Sequence, residues 1–341
     1  MTARWRSHNC ISLSLNPRCK RLELAAFVLV TIAFAGPTFA QGLIGLGDLP
    51  GNTFDSRALA VNQDGTVIVG MSLSENVEVF GNKEAFIWTA ADGMQGLGDL
   101  PGGEFHSKAV AVSLDGTVVV GTSAVPDDSD FGDNPQDEAF RWTEAGGMQG
   151  LGLLPGAGNS GADSFANGVS PDGSVVIGKS DSENATDQFY TEAFRWTGGS
   201  MEGLGDLPGG GFDSSAEWIT SSGVIFGTAV AGKDGPDDPF GEGVWVRWEG
   251  GAKPEPIKEL PNGQYDINDV SADGSVIVGR YENPDGNEEA FRWTEAGGVE
   301  GLGDLPGEDF DSSAVAVNAD GSVIVGTSDT YSIWTPHFVW T

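Results

Sequence analysis

One heptapeptide recurs often enough to decide how this chain is organised. GLGDLPG stands at 45–51, 96–102, 203–209 and 301–307, with GLGLLPG at 150–156 and a looser IKELPNG at 257–263. The shared prolines Pro50, Pro101, Pro155, Pro208, Pro261 and Pro306 put the copies 45 to 54 residues apart. A period of this size marks a repeat architecture, in which each unit buries its apolar face only against the next one.

Every copy continues in the same way. An Ala/Val segment follows, such as ALAV at 58–61 or AVAV at 109–112 and 314–317. A turn then ends at Gly65, Gly116, Gly173, Gly223, Gly274 or Gly321, and a β-branched run such as TVIVG (66–70) or SVIVG (322–326) comes next. After a variable acidic loop stands an aromatic segment: EAFIWT at 84–89, EAFRWT at 138–143, 192–197 and 289–294, VWVRW at 244–248 and PHFVWT at 336–341. Asp-Gly between two β-branched runs signals a hairpin, because Gly accepts the positive φ of a tight turn. F-x-W alternates with the period of a strand.

The reading is all-β, with four strands a, b, c and d per copy and no sustained helical period beyond the N-terminal segment. Four strands in about 50 residues is the size of a propeller blade. The expected fold is therefore a six-bladed β-propeller of four-stranded blades over residues 41–341. Residues 42–49 read as a d strand with no a–c before them, and 338–341 as a c strand with no d after them. This predicts a ring closed by an N-terminal strand that completes the last blade and so removes exposed sheet edges.

Residues 1–40 read as a signal peptide outside the fold. Arg4, Arg6, Arg18, Lys20 and Arg21 precede an apolar run from Leu24 to Ala35, and Thr38-Phe39-Ala40 supplies small residues for cleavage before Gln41. The run is short for a membrane span, so no membrane insertion is expected after cleavage. Both cysteines, Cys10 and Cys19, lie in this segment. The remaining chain has no thiol for a disulfide, a nucleophile or a thiolate metal site.

The repeats resemble the HAF family of bacterial extracellular repeats, named for His-Ala-Phe upstream of a Trp and followed by an LGxLPG-type segment. The resemblance rests on Ala85-Phe86, Ala139-Phe140, Ala193-Phe194 and Ala290-Phe291 with Trp88, Trp142, Trp196 and Trp293, and on the LPG and DG elements. It implies secretion, to the cell surface, periplasm or exterior, and a repeat fold, but no defined activity. The name-giving His is absent: Glu84, Glu138, Glu192 and Glu289 stand in its place, and Pro336 in the last copy.

Charge narrows the function classes. The chain carries 17 Lys+Arg against 50 Asp+Glu, a net charge of −33, and loss of residues 1–40 would make it −37. Such a surface repels nucleic acid and anionic membranes. In propeller geometry the long b–c loops and the d–a links share one face, and the acids gather there. Asp181, Glu183, Asp187 and Glu192 in one loop, with Asp128, Asp130 and Asp133 in another, are either solvated acidic loops or speculative Ca²⁺ ligands, since Ca²⁺ takes six to eight oxygens in flexible geometry. Arg141, Arg195, Arg247 and Arg292 share a strand position and are expected to pair with acids of a neighbouring blade.

No G-x-S-x-G or H-E-x-x-H is present, and His106 and His337 read as substitutions within the repeat. The expected function is a secreted, non-catalytic propeller, binding or scaffolding through its acidic face, with Ca²⁺ the one cofactor to consider. The partner would be an extracellular protein or glycan, and the ring a monomer. The alternative is a Ca²⁺-dependent propeller hydrolase, phytase-like or a glycosidase, working through paired carboxylates.

Overall fold

The computed structural model describes residues 44–51, 54–77, 81–126, 136–157, 161–185, 190–232, 242–258, 260, 265–306, 310–329 and 337–341. Twenty-three strands, and no helix among these residues, fall into six antiparallel sheets. The first sheet orders β1 (Ser56–Val61), β2 (Val67–Ser72), β3 (Glu84–Thr89) and β4 (Gly93–Gly98) by simple up-and-down connection. The second repeats this with β5 (Ser107–Val112), β6 (Val118–Val125), β7 (Gln136–Thr143) and β8 (Gly147–Gly150), and the third with β9 (Ser164–Val169), β10 (Val175–Ser180), β11 (Glu192–Thr197) and β12 (Ser200–Gly203). The fourth holds β13 (Gly209–Ile219), β14 (Ile225–Ala231), β15 (Glu242–Trp248) and β16 (Glu255–Pro256). The fifth holds β17 (Tyr265–Val270), β18 (Ile277–Glu282), β19 (Glu288–Thr294) and β20 (Gly298–Gly303). The sixth has three strands: β21 (Ser312–Val317), β22 (Ile324–Ser328) and β23 (His337–Trp340).

The sixth sheet corrects one expectation. Residues 44–49 form no strand, so the sheet of β21–β23 is not completed by the N-terminal segment among the described residues. Instead Ser56 donates its hydroxyl to the Gly47 carbonyl, and the Leu49 N–H is held by Ser72 Oγ. The segment is thus tied to the first sheet. The predicted signal peptide lies outside the described residues.

Successive sheets stack through five apolar clusters built on one pattern. The residue before the Gly of each b strand packs on the a and b strands of the next sheet: Val69 on Ala109 and Val119, Val120 on Ala166 and Val176, Ile177 on Ala216 and Ile225, Phe226 on Ile267 and Ile277, Val278 on Ala314 and Ile324. A β-branched residue suits both requirements, since it favours strand backbone and fills the flat space between pleated surfaces. The Gly that follows is needed for a different reason. At Gly70, Gly121, Gly178, Gly227 and Gly279 a Cβ would run into the a-strand carbonyl of Arg57, Lys108, Phe165, Ser215 or Asp266, close to where the register shifts.

A serine stitches four of the five interfaces, all but that between the fourth and fifth sheets. Ser107 Oγ accepts the Ala85 N–H (2.9 Å) and donates to the Gly98 carbonyl (2.6 Å), both in the preceding sheet. Ser164, Ser214 and Ser312 repeat this with Ala139 and Gly152, Ala193 and Gly205, and Ala290 and Gly303. These buried hydroxyls satisfy backbone groups that the close sheet packing removes from water.

Candidate functional site

Among the described residues, several acids of the loop face are bound into the framework. The Asp of GLGDLPG is not only a turn-former: Asp48, Asp99 and Asp304 accept hydroxyls from Ser72, Ser123 and Ser328 at the ends of b strands. Asp206, which meets no such serine, accepts backbone N–H groups of Leu207, Asp213 and Val230. Burial pushes its carboxyl up to about 6, against those three donors. Asp163 accepts the Asp137 N–H (2.8 Å) and Asp181 accepts the Asp163 N–H (3.0 Å). Burial raises the pKa of all three, and for Asp137 the nearby Asp163 adds to the rise. His106 stands where other copies carry Asp; its Nδ1 accepts the Lys83 N–H (3.0 Å), and burial lowers its pKa.

The predicted Ca²⁺ residues divide between separate partners. Asp181 is held as above, Glu183 lies against Gly156, and Glu192 accepts the Gly205 N–H on Oε1 and the Asn184 amide on Oε2. Asp187, Asp128, Asp130 and Asp133 lie outside the described residues. Among the described residues no three His, Cys, Asp or Glu side chains gather as a metal cluster would require.

The Glu that opens each EAF segment has the same duty in four copies. Glu84, Glu138, Glu192 and Glu289 reach back to the N–H of Gly98, Gly152, Gly205 and Gly303. The second oxygen of Glu84, Glu192 and Glu289 takes the amide of Asn76, Asn184 or Asn283 from the acidic loop. These carboxylates lock the loop to the sheet.

The opposite, short-turn face is different. There a cleft of 790 Å³ runs along the turn ends of the first three sheets, against 550 Å³ for a cavity on the loop face. Val67, Ile87, Val118 and Trp142 make its apolar floor, Gln95 and Arg141 its polar groups, and Asp92, Glu144 and Asp172 stand around it. Hydrogen bonds from Ser170 first, then Ser174, hold Asp172 down to about 2, so it is ionised at any physiological pH.

Strand register explains why this cleft has a free cation. In the third and fifth sheets the c-strand Arg faces a Glu across the ladder: Arg195 opposite Glu202 (3.0 Å) and Arg292 opposite Glu300 (3.9 Å). In the fourth, Arg247 lies opposite Glu255 and pairs at 3.8 Å with Glu295 of the next sheet. Pairing between neighbouring sheets, expected from sequence, therefore holds for Arg247; Arg195 and Arg292 pair within their own sheet. The first two sheets break the pattern. Ile87 faces Gln95, and Arg141 faces Gln149. Arg141 makes no ion pair among the described residues, and its guanidinium reaches only the Gly173 carbonyl at 3.4 Å. The departures of copies one and two were visible in the sequence; their meeting at one cleft was not.

No family model and no curated protein matches this chain in sequence. Solved structures do match in shape. The β-propeller domain of the Trilobed protease from Pyrococcus furiosus, described as having an open velcro topology, superposes with a TM-score of 0.52 at 9% identity, covering 84% of this chain and 81% of that one. The fold is a β-propeller. Prolyl oligopeptidase B from Galerina marginata (TM-score 0.52, 9% identity) and the acylaminoacyl peptidase of Pyrococcus horikoshii (0.50, 12%) each match over 84% of this chain. The propeller spans only 40% and 44% of those two peptidases.

These likenesses overturn the functional picture drawn from composition. The structures that share the fold are propeller domains of peptidases. They support neither a secreted, non-catalytic binder or scaffold working through an acidic loop face nor a Ca²⁺-dependent phytase-like hydrolase or glycosidase. At such identities they establish the propeller and nothing finer.

Proposed function

We propose that this propeller recognises a short zwitterionic peptide in the cleft of its short-turn face. The observation that carries the reading is the missing cross-strand carboxylate at Arg141. A half-buried guanidinium facing Gln149 has donors to spare, and a ligand carboxylate fits them in the bidentate way that Arg favours. Asp92, Glu144 and Asp172 offer sites for an ammonium group. Val67, Ile87 and Trp142 accept an apolar side chain, and 790 Å³ lies within the range of small-ligand pockets. The net charge of −33 disfavours a ligand with several uncompensated anions.

Calorimetric titration with Ala-Leu-Leu and with its C-terminal amide tests this. Binding of the free acid and a loss of 10-fold or more for the amide are expected, from the about 1.5–3 kcal/mol of a hydrogen bond to a charged group. Gln149→Glu restores the cross-strand pair and removes binding while leaving the melting curve in place. Equal binding of acid and amide, or an unaffected Gln149→Glu variant, overturns the reading.

The proposal includes export by residues 1–40 and kinship with the HAF repeats through the motifs described above. Mass spectrometry of the exported protein should find Gln41 at its N-terminus. Retention of residues 1–40 would refute the processing.

A further inference from the structure

The apolar surface left uncovered lies mostly on the two end sheets, in part at positions that the other sheets bury. Val69, Val120, Ile177 and Val278 are 0% exposed, whereas Val325, at the same place in the sixth sheet, is 41% exposed. Val339, where the second to fifth copies carry Arg and the first carries Ile87, is 67% exposed. The first sheet shows the complementary face. Ala58 is exposed, although its counterparts Ala109, Ala166, Ala216 and Ala314 are buried. Ile68 is partly exposed, and Val119, Val176, Ile277 and Ile324 are buried in the equivalent position.

The turns repeat the message. A Cβ at Gly116 or Gly173 would meet Val67 or Val118 of the preceding sheet, at 2.6 and 2.5 Å. A Cβ at Gly65 of the first sheet would meet nothing within 4 Å, as is also true at Gly223 of the interior fourth sheet. At the last internal interface Arg292 of the fifth sheet lies over Trp340 of the sixth at 5.6 Å. Among the described residues the chain contains five interfaces between successive sheets, four of them fastened by a serine, and both halves of a sixth, unjoined.

We infer that the free face of the sixth sheet docks on the free face of the first sheet of a second copy of this chain, head to tail. Two matching halves held open together in one molecule fit a partner molecule without any change of conformation. The contacts are read from the five internal interfaces. Val325 packs on Ala58 and Ile68, Val323 on the Gly65 turn, and Val339 against Trp88. His337 places a ring in this junction where Ala85, Ala139, Ala193 and Ala290 are buried, as Trp245 does at the junction of the fourth and fifth sheets. The two faces are unlike, so the contact is heterologous, and each added copy leaves one of each face free. The inference stands on these faces alone and is independent of the peptide cleft.

Cysteine cross-linking in the full chain tests it, with Cys10 and Cys19 changed to Ser to leave no other thiol. Ala58→Cys and Val325→Cys are made separately, mixed and oxidised. A covalent dimer in the mixture, absent from either variant alone, is the expected result. Sedimentation should show the mass doubling between low micromolar and about 100 μM, and Val325→Asp should hold it at the monomer value with an unchanged melting curve. A variant carrying both cysteines that cross-links only within one molecule would overturn the inference in favour of a self-closing ring. Absence of any cross-link, or a mass that stays monomeric at high concentration, would overturn it as well.

Discussion

The carboxylate that opens each EAF segment shows how tightly single residues are bound to the repeat. Glu192 sits over Gly203 so closely that a Cβ there would strike Oε1, while the same oxygen takes the Gly205 N–H. The Glu and the first Gly of GLGDLPG are one device written at two places. Glu192→Ala should cost about 1–3 kcal/mol in urea denaturation, the range for stranding a buried partner. Gly203→Ala should cost a similar amount by overpacking. The double variant should lose less than the sum, because removing the carboxylate makes room for the methyl group; strict additivity would disprove the pairing. Asp206 gives a second residue-scale prediction. Its pKa is raised in the folded state to about 6 from 3.8. Its contribution to stability is therefore fully present below pH 3.8 and is lost as pH rises through 6. Carboxyl ¹³C NMR should place its midpoint near 6, and the stability difference between the wild type and Asp206→Asn should shrink across that window. A midpoint at or below 4 would contradict the burial argument.

Among the elements, the Asp-Gly turn supplies an internal control. Gly65 and Gly173 both hold positive φ, 74° and 71°, which an L side chain adopts at a cost of about 1 kcal/mol or more. Only at Gly173 would a methyl group also meet the preceding sheet, at Val118. Gly173→Ala should therefore destabilise by about 1–3 kcal/mol more than Gly65→Ala in thermal or urea unfolding. Equal losses would mean that the turns do not pack as described. Strands, turns and the sheet-by-sheet order were legible because period-two patterns, Asp-Gly and the b-strand Gly are local signals, the Gly repeated six times and Asp-Gly five. Partner choice was not legible. Whether Arg195 reaches Glu202 in its own sheet or an acid in the next depends on ladder register, which a one-residue slip would reverse. The acids of the loop face misled for a related reason: composition shows how many carboxylates there are, but not that Ser72, Ser123 and Ser328 or a backbone N–H already occupies them. The cleft showed in sequence only as Ile87, Gln95 and Gln149 departing from the Arg and Glu of other copies, and folding was needed to bring those departures together.

For the whole molecule, stacking in one direction sets the distribution of stability. Units that touch only their neighbours gain an interface on each side, and end units gain one. At low micromolar concentration, where copies stand apart, amide hydrogen exchange should be faster in β1, β22 and β23 than in β9 and β10, which lie between two interfaces. Uniform protection would show that the end faces are already covered. Removing one interior contact should act on two sheets at once: Ile177→Ala should cost about 2–5 kcal/mol, as for other buried aliphatic truncations, and speed exchange in both the third and fourth sheets.

The serine stitches have a consequence for how such a chain can change length. Ser107 belongs to the second sheet but holds groups of the first, and Asp99, written at the end of one copy, grips Ser123 of the next. The sequence unit is out of phase with the sheet it appears to encode. A duplicated stretch of DNA that runs from one GLGDLPG to the next would bring a d strand for the sheet before it and a, b and c strands for a new one. It would arrive with its fastenings on both sides already encoded. Copy number can therefore drift by whole units in a lineage, each gain or loss leaving the remaining junctions with the fastenings they already had.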